Sequence, residues 1–151
     1  KYSQASKVFS IDINPEAIKY MFENVLLNKV SGRVSTILGD SRAITELHLR
    51  ARADRVLMPL PARAIAYIDA AIIGLKPKRG NIHVYDFVHA NRTEDPLQKA
   101  LERIAPKLSQ FELSVIRKDV RIVRTIGPNW YQTVVDLTLE KPSTANLQGV
   151  M

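Results

Sequence analysis

Val8-Phe9-Ser10-Ile11-Asp12-Ile13-Asn14-Pro15-Glu16-Ala17 sets an acidic residue at the end of an apolar run and opens a helix directly behind it. Asn14 supplies a side-chain oxygen for a helix cap, and Pro15 follows with φ preset and no N–H to satisfy. A strand, an acid and a capped helix in that order are how open α/β sheets hold a nucleoside. Ionised Asp12 can accept hydrogen bonds from both vicinal hydroxyls of a ribose. The same spacing also fits a plain loop cap.

Working outward, strands and helices alternate. Lys7 to Ile11 reads as a short buried strand, and Pro15 to Asn28 as an amphipathic helix with Ala17, Ile18, Met21, Val25 and Leu26 on its apolar side. Arg33 to Leu38 is a second strand ending at Gly39-Asp40, and Ser41 begins a short helix through His48. Ala53 to Met58 is a third strand, followed by Pro59-Leu60-Pro61 and a helix over Ala62 to Leu75 with Ile65, Ile68, Ile72 and Leu75 in one stripe. Asn81 to Phe87 is a fourth strand, and a helix capped by Thr93 runs to Leu108. Two long strands, Phe111 to Thr125 and Tyr131 to Lys141, close the chain around Ile126-Gly127-Pro128-Asn129. Alternation with short loops predicts a mostly parallel sheet, and the helix-free final pair predicts an antiparallel hairpin at its edge.

Composition narrows the class. The 151 residues are 46% hydrophobic, enough for one domain with a core, expected over residues 1–141, with 142–151 a flexible polar tail. No apolar run approaches the roughly 20 residues of a membrane span, and nothing reads as a secretory signal, so the expectation is a soluble, intracellular, cytoplasmic protein. There is no cysteine, and His48, His83 and His89 are scattered, so no metal is expected. A net charge of +7 suits a polyanion such as nucleic acid, or a solvated cationic face. Residue 1 is Lys, and Lys1 to Ser6 reads as the end of a helix feeding the first strand, so a longer parent chain is expected.

Ligands of open α/β sheets bind at the carboxyl ends of the strands. Asp12, Asp40, Pro59-Leu60-Pro61 and Asp86-Phe87 stand there. Asp40 could accept from an adenine amino group, or cap the helix that Ser41 begins. Two prolines stiffen the turn after the third strand and direct the carbonyls of Met58 and Pro59 outward, unless this is an ordinary strand-to-helix turn. Asp86 reads as a loop cap, with a proton-accepting role as the alternative. Arg117, Lys118, Arg121 and Arg124 make the hairpin basic, with Trp130 and Tyr131 beyond its turn; strict alternation splits them, Arg117 and Arg121 on one face and Lys118 and Arg124 on the other. They fit either RNA contact or a charge-protected edge strand. Arg63, just after Pro61, is a further candidate for an RNA phosphate.

Taken in order, Ser10-Ile11-Asp12-Ile13-Asn14-Pro15, Glu23-Asn24-Val25-Leu26-Leu27-Asn28-Lys29-Val30, Gly39-Asp40-Ser41-Arg42 and Ala53-Asp54-Arg55-Val56-Leu57-Met58-Pro59-Leu60-Pro61 resemble a known family. So do His83-Val84-Tyr85-Asp86-Phe87, Arg121-Ile122-Val123-Arg124 and Trp130-Tyr131-Gln132. It is the archaeal and eukaryal class of tRNA (guanine-N1)-methyltransferases, which modify the guanosine 3′ of the anticodon, together with relatives in wyosine synthesis. The resemblance covers nearly the whole sequence. It implies a Rossmann-like class I methyltransferase sheet whose first strand and Gly-rich loop precede Lys1. It implies S-adenosyl-L-methionine as cofactor, with Asp12 on the ribose, Asp40 on the adenine side, Ile13 packed on the adenine and Asn14 and Ser41 beside them. Pro59, Leu60 and Pro61 would border the methyl donor and the target base, and tRNA would be the partner, met by Arg63, Arg121 and Arg124. Members commonly read Asn-Leu-Pro where this chain has Pro59-Leu60-Pro61, so a side-chain amide that could orient guanine is missing. Aminocarboxypropyl transfer from the same cofactor, or a non-catalytic RNA-binding module on a transferase scaffold, are the alternatives.

Overall fold

The computed structural model describes residues 4–142, which fall into two compact units dividing after His48. The tail from residue 143 onward, read above as flexible, lies outside the described residues, as do residues 1–3. Gln4 to Ser6 are not helical, contrary to the expected helix end.

In the first unit, β1 (Val8–Asp12) pairs in parallel with β2 (Val34–Leu38), from Val8 opposite Val34 to Asp12 opposite Leu38. A parallel pair needs a crossover, supplied by α1 (Pro15–Leu27). Its start is as the sequence dictates, with Asn14 Oδ1 accepting the Glu16 N–H at 3.0 Å and Pro15 in the first turn. Val25 is its buried anchor, whereas Leu26, assigned above to the apolar side, is 52% exposed. The helix α2 (Ser41–His48) follows β2.

The second unit is built on a four-stranded sheet of β3 (Arg55–Met58), β4 (Arg79–His89), β5 (Ser114–Gly127) and β6 (Trp130–Glu140), ordered β3-β4-β6-β5. β3 and β4 are parallel, and β6 runs antiparallel to both β4 and β5. The expected hairpin therefore closes the sheet, with β5 as its edge. Along β4, Gly80, Ile82, Val84, Asp86 and Val88 face one side and are buried. Against that side pack α3 (Ile68–Gly74) and α4 (Pro96–Leu108), with Ile68, Ile72, Leu75, Ala100 and Ile104 meeting Ile82, Val84, Val135, Leu137 and Leu139.

Three local expectations are corrected. The helix expected from Ala62 begins as a 3-10 turn (Ala64–Tyr67) and becomes α-helical only at Ile68, because neither Arg63 nor Tyr67 supplies a side-chain cap. The cap of α4 is Asp95, not Thr93: Asp95 Oδ1 accepts the Leu97 N–H at 2.9 Å and Pro96 follows, repeating the Asn14-Pro15 grammar. Asp86 caps no loop. It lies within β4, 3% exposed, where Arg103 Nε donates to its Oδ2 at 2.5 Å. At the far end of the sheet, Lys141 Nζ donates to the carbonyls of Ile72 at 2.6 Å and Leu75 at 2.7 Å, closing the carboxyl end of α3. Burial there pushes its amine below the ordinary lysine range.

Candidate functional site

The first unit brings Asp12 and Asp40 to one end of its parallel pair. The Gly39 N–H donates to the Asp12 carbonyl at 2.9 Å, so the exit of β1 is tied to the residue that precedes Asp40. Gly39 has φ +154°, a backbone conformation that favours glycine, and a Cβ there would lie 3.1 Å from Ile44 Cγ1, a contact tight enough that the Ile44 side chain would have to shift. Gly39→Ala is expected to cost about 1–3 kcal/mol of stability in urea unfolding and to displace Asp40; an unchanged midpoint would refute this.

Both acids serve their own loops. Asp12 Oδ1 accepts the Asn14 N–H at 2.9 Å. Asp40 Oδ1 accepts the N–H groups of Arg42 at 3.0 Å and Ala43 at 3.1 Å, capping α2, of which half-buried Ser41 is the first residue. The plain capping reading is thus correct for Asp40, and for Asp12 as a tight loop bond. It does not exhaust Asp12: among the described residues its Oδ2 accepts no hydrogen bond, and the side chain is only half-buried. Beside it Ile13 stands 70% exposed, an apolar surface next to a carboxylate acceptor. A flat, hydroxyl-bearing ligand such as a nucleoside suits that pair of surfaces. A cavity of about 280 Å³ in this unit opens at the opposite end of the strands, around Val8 and Val34, and involves neither aspartate.

In the second unit Pro59-Leu60-Pro61 follows β3 directly. Pro59 is exposed and Leu60 is 59% exposed. The Leu60 carbonyl turns back to accept the N–H groups of Arg63 at 3.0 Å and Ala64 at 2.9 Å, so this acceptor is used within the turn. The Pro59 carbonyl accepts no backbone hydrogen bond among the described residues. Arg63 is exposed on the same turn.

The basic hairpin differs from the alternation expected of it. Residues directly opposite share a face, and Arg117, Arg121 and Arg124 of β5 stand opposite Thr138, Val134 and Gln132, which are even-numbered residues of β6 on one face. A register irregularity between Ile122 and Arg124 inserts an extra residue and turns Arg124 onto the face of Arg117 and Arg121. Lys118, opposite Leu137, alone faces the helix-packed side. Tyr131, opposite buried Val88, also faces that side, whereas Trp130 stands opposite His89 on the arginine side. Sequence reasoning also missed the Asp86–Arg103 ion pair and the hydrogen bond between His83 Nδ1 and Asp136 Oδ1 at 2.6 Å.

A parallel α/β unit presenting acids at its strand ends has the arrangement with which open α/β sheets take nucleosides, and the second unit carries a mixed sheet closed by an antiparallel hairpin. Residues 1–116 match the TRM5/TYW2 methyltransferase domain, and the chain belongs to this family. It is 39% identical over 133 residues to the tRNA (guanine(37)-N(1))-methyltransferase Trm5b of Pyrococcus abyssi, covering 88% of this chain and 37% of that protein. It is 40% identical over 131 residues to the tRNA 4-demethylwyosine(37)-methyltransferase Taw21 of Saccharolobus solfataricus, covering 86% and 44%. The crystal structure of M. jannaschii TYW2 in complex with AdoMet superposes with a TM-score of 0.80 at 30% identity, covering 94% of this chain and 61% of that one. The chain thus spans less than half the length of the two relatives compared.

Proposed function

We propose that this chain is the S-adenosyl-L-methionine-binding part of a cytoplasmic tRNA methyltransferase that methylates N1 of the guanine 3′ to the anticodon. The observation that carries the reading is the pair of strand-end carboxylates, Asp12 and Asp40, in a chain 39% identical to a tRNA (guanine(37)-N(1))-methyltransferase. Asp12, through its unused Oδ2, holds the ribose hydroxyls; Ile13 lies against the adenine; Asp40, Asn14 and Ser41 shape the adenine side. The cofactor's sulfonium methyl is already a strong electrophile, so the protein's work is alignment and exclusion of water. Pro59, Leu60 and Pro61 serve the target base, with the Pro59 carbonyl as a fixed acceptor, and Arg63 meets an RNA phosphate.

Methylation of a 4-demethylwyosine base is the second reading. It is favoured by the 40% identity to Taw21 and by Pro59, which lacks the amide that would orient a guanine. Both are tested with the full-length protein, methyl-labelled cofactor and two tRNA substrates, one with guanosine 3′ to the anticodon and one with 4-demethylwyosine there. Label recovered as N1-methylguanosine from the first supports the proposal. Label only in the second selects the alternative, and no label in either, with transfer from carboxyl-labelled cofactor, selects aminocarboxypropyl transfer.

A further inference from the structure

The face of the second sheet that carries the arginines is unlike the helix-packed face. From edge to interior it shows Arg117, Arg121 and Arg124 on β5, Gln132, Asp136 and Thr138 on β6, and His83, Phe87 and His89 on β4. Each step of two residues along a strand is about 7 Å, so the arginines, opposite Thr138 to Gln132, span about 20 Å along one edge. Arg124 is fixed rather than free-swinging: its Nε donates to Gln132 Oε1 at 2.8 Å, and no other partner takes its terminal nitrogens among the described residues. At the carboxyl end of β4, the rings of His89 and Trp130 meet edge to face with centroids 5.2 Å apart, and Trp130 is 44% exposed. An apolar ring held in place at the surface, one cross-strand step beyond a guanidinium held by a single nitrogen, offers stacking next to a phosphate fork.

The acids on this face decide where the charge is effective. Asp119 stands between Arg117 and Arg121, and Asp136 lies 3.5 Å from Arg121 Nη1 while also bound to His83. Arg121 is therefore partly neutralised, and the uncompensated positive charge lies at the Arg124 end, beside Trp130. Charge that only shielded the edge strand from aggregation would not need a bulge to bring it onto one face, nor an aromatic pair beside it.

We propose that this face is a track for a single-stranded segment of RNA, in which Arg124 binds a backbone phosphate and the Trp130–His89 pair stacks an unpaired base. The track rests on the tRNA reading above and adds a second contact surface to Arg63. A splayed loop, not a duplex, is the form that fits, because the aromatic pair needs an exposed base.

The test is tRNA binding by the full-length protein, titrated between about 50 and 200 mM salt, with cofactor binding followed by calorimetry as the control for folding. Arg124→Gln is expected to weaken tRNA binding about tenfold and to reduce the log–log salt slope by about 0.7–0.9, one phosphate's share. Trp130→Ala is expected to weaken binding by a similar factor with the slope unchanged, and Trp130→Phe to restore it. Arg121→Gln should cost less than Arg124→Gln, and Lys118→Gln, on the other face, should change neither affinity nor slope. Unchanged tRNA binding in Arg124→Gln and Trp130→Ala, or an equal loss in Lys118→Gln, overturns the track while leaving the methyltransferase reading intact. Absence of tRNA binding by the unsubstituted protein removes both.

Discussion

Asp12→Ala is expected to weaken S-adenosyl-L-methionine binding about 100-fold, close to 3 kcal/mol, because two ribose hydroxyls lose a charged acceptor. The loss should appear in calorimetric Kd and equally in KM for the cofactor, with tRNA affinity unchanged. Asp12→Asn separates charge from local geometry. It keeps an oxygen to accept the Asn14 N–H, which Asp12 Oδ1 now receives at 2.9 Å, and so preserves the entry to α1. An intermediate loss of about tenfold is expected, since hydrogen bonds to an ionised acceptor are roughly twice as strong as neutral ones. Cofactor affinity unaltered in both variants would reduce Asp12 to a loop residue and withdraw the nucleoside reading of this strand end.

The largest stability effect should come from Arg103→Ala, about 3 kcal/mol in urea unfolding. Asp86 has a side chain only 4% exposed, and Arg103 is its ion-pair partner, with Nε at 2.5 Å. Removing the guanidinium leaves a carboxylate under the helix-packed face with no compensating charge. The arginine itself is 52% exposed, which places the expectation at the lower end of what a broken buried pair costs. Replacing both partners, as in Asp86→Val with Arg103→Leu, should recover most of the loss, because the apolar pair has nothing to desolvate. A double variant as unstable as Arg103→Ala would show that the pair does more than satisfy its own burial. Asp86 thus belongs to the core rather than to the strand ends where ligands bind.

Much of the local structure was legible because it depends on neighbours in sequence. Asn14-Pro15 started α1 where the residue chemistry required, and Asp95-Pro96 carries the same signal three helices later, in place of the expected Thr93. Gly39-Asp40-Ser41 marked the exit of β2, and the Gly-Pro-Asn turn marked the hairpin. Asp86 was misplaced because an alternating strand and a strand end look alike until the length of the partner strand is known; β6 pairs with β4 as far as His89.

The sequence by itself determined the order of strands and helices, the Asn14 cap of α1, and the positions of Asp12 at the end of β1 and of Asp40 and the Pro59 turn just beyond β2 and β3. These are short-range consequences of backbone preference and side-chain capping. Tertiary structure alone decided which side chains share a face. The extra residue between Ile122 and Arg124 reverses the parity of the β5 residues just beyond it, so Arg124 joins Arg117 and Arg121 only once the register against β6 is set. That register is chosen by the burial of Val135, Leu137 and Leu139 against α3 and α4, a choice made between segments far apart in the chain.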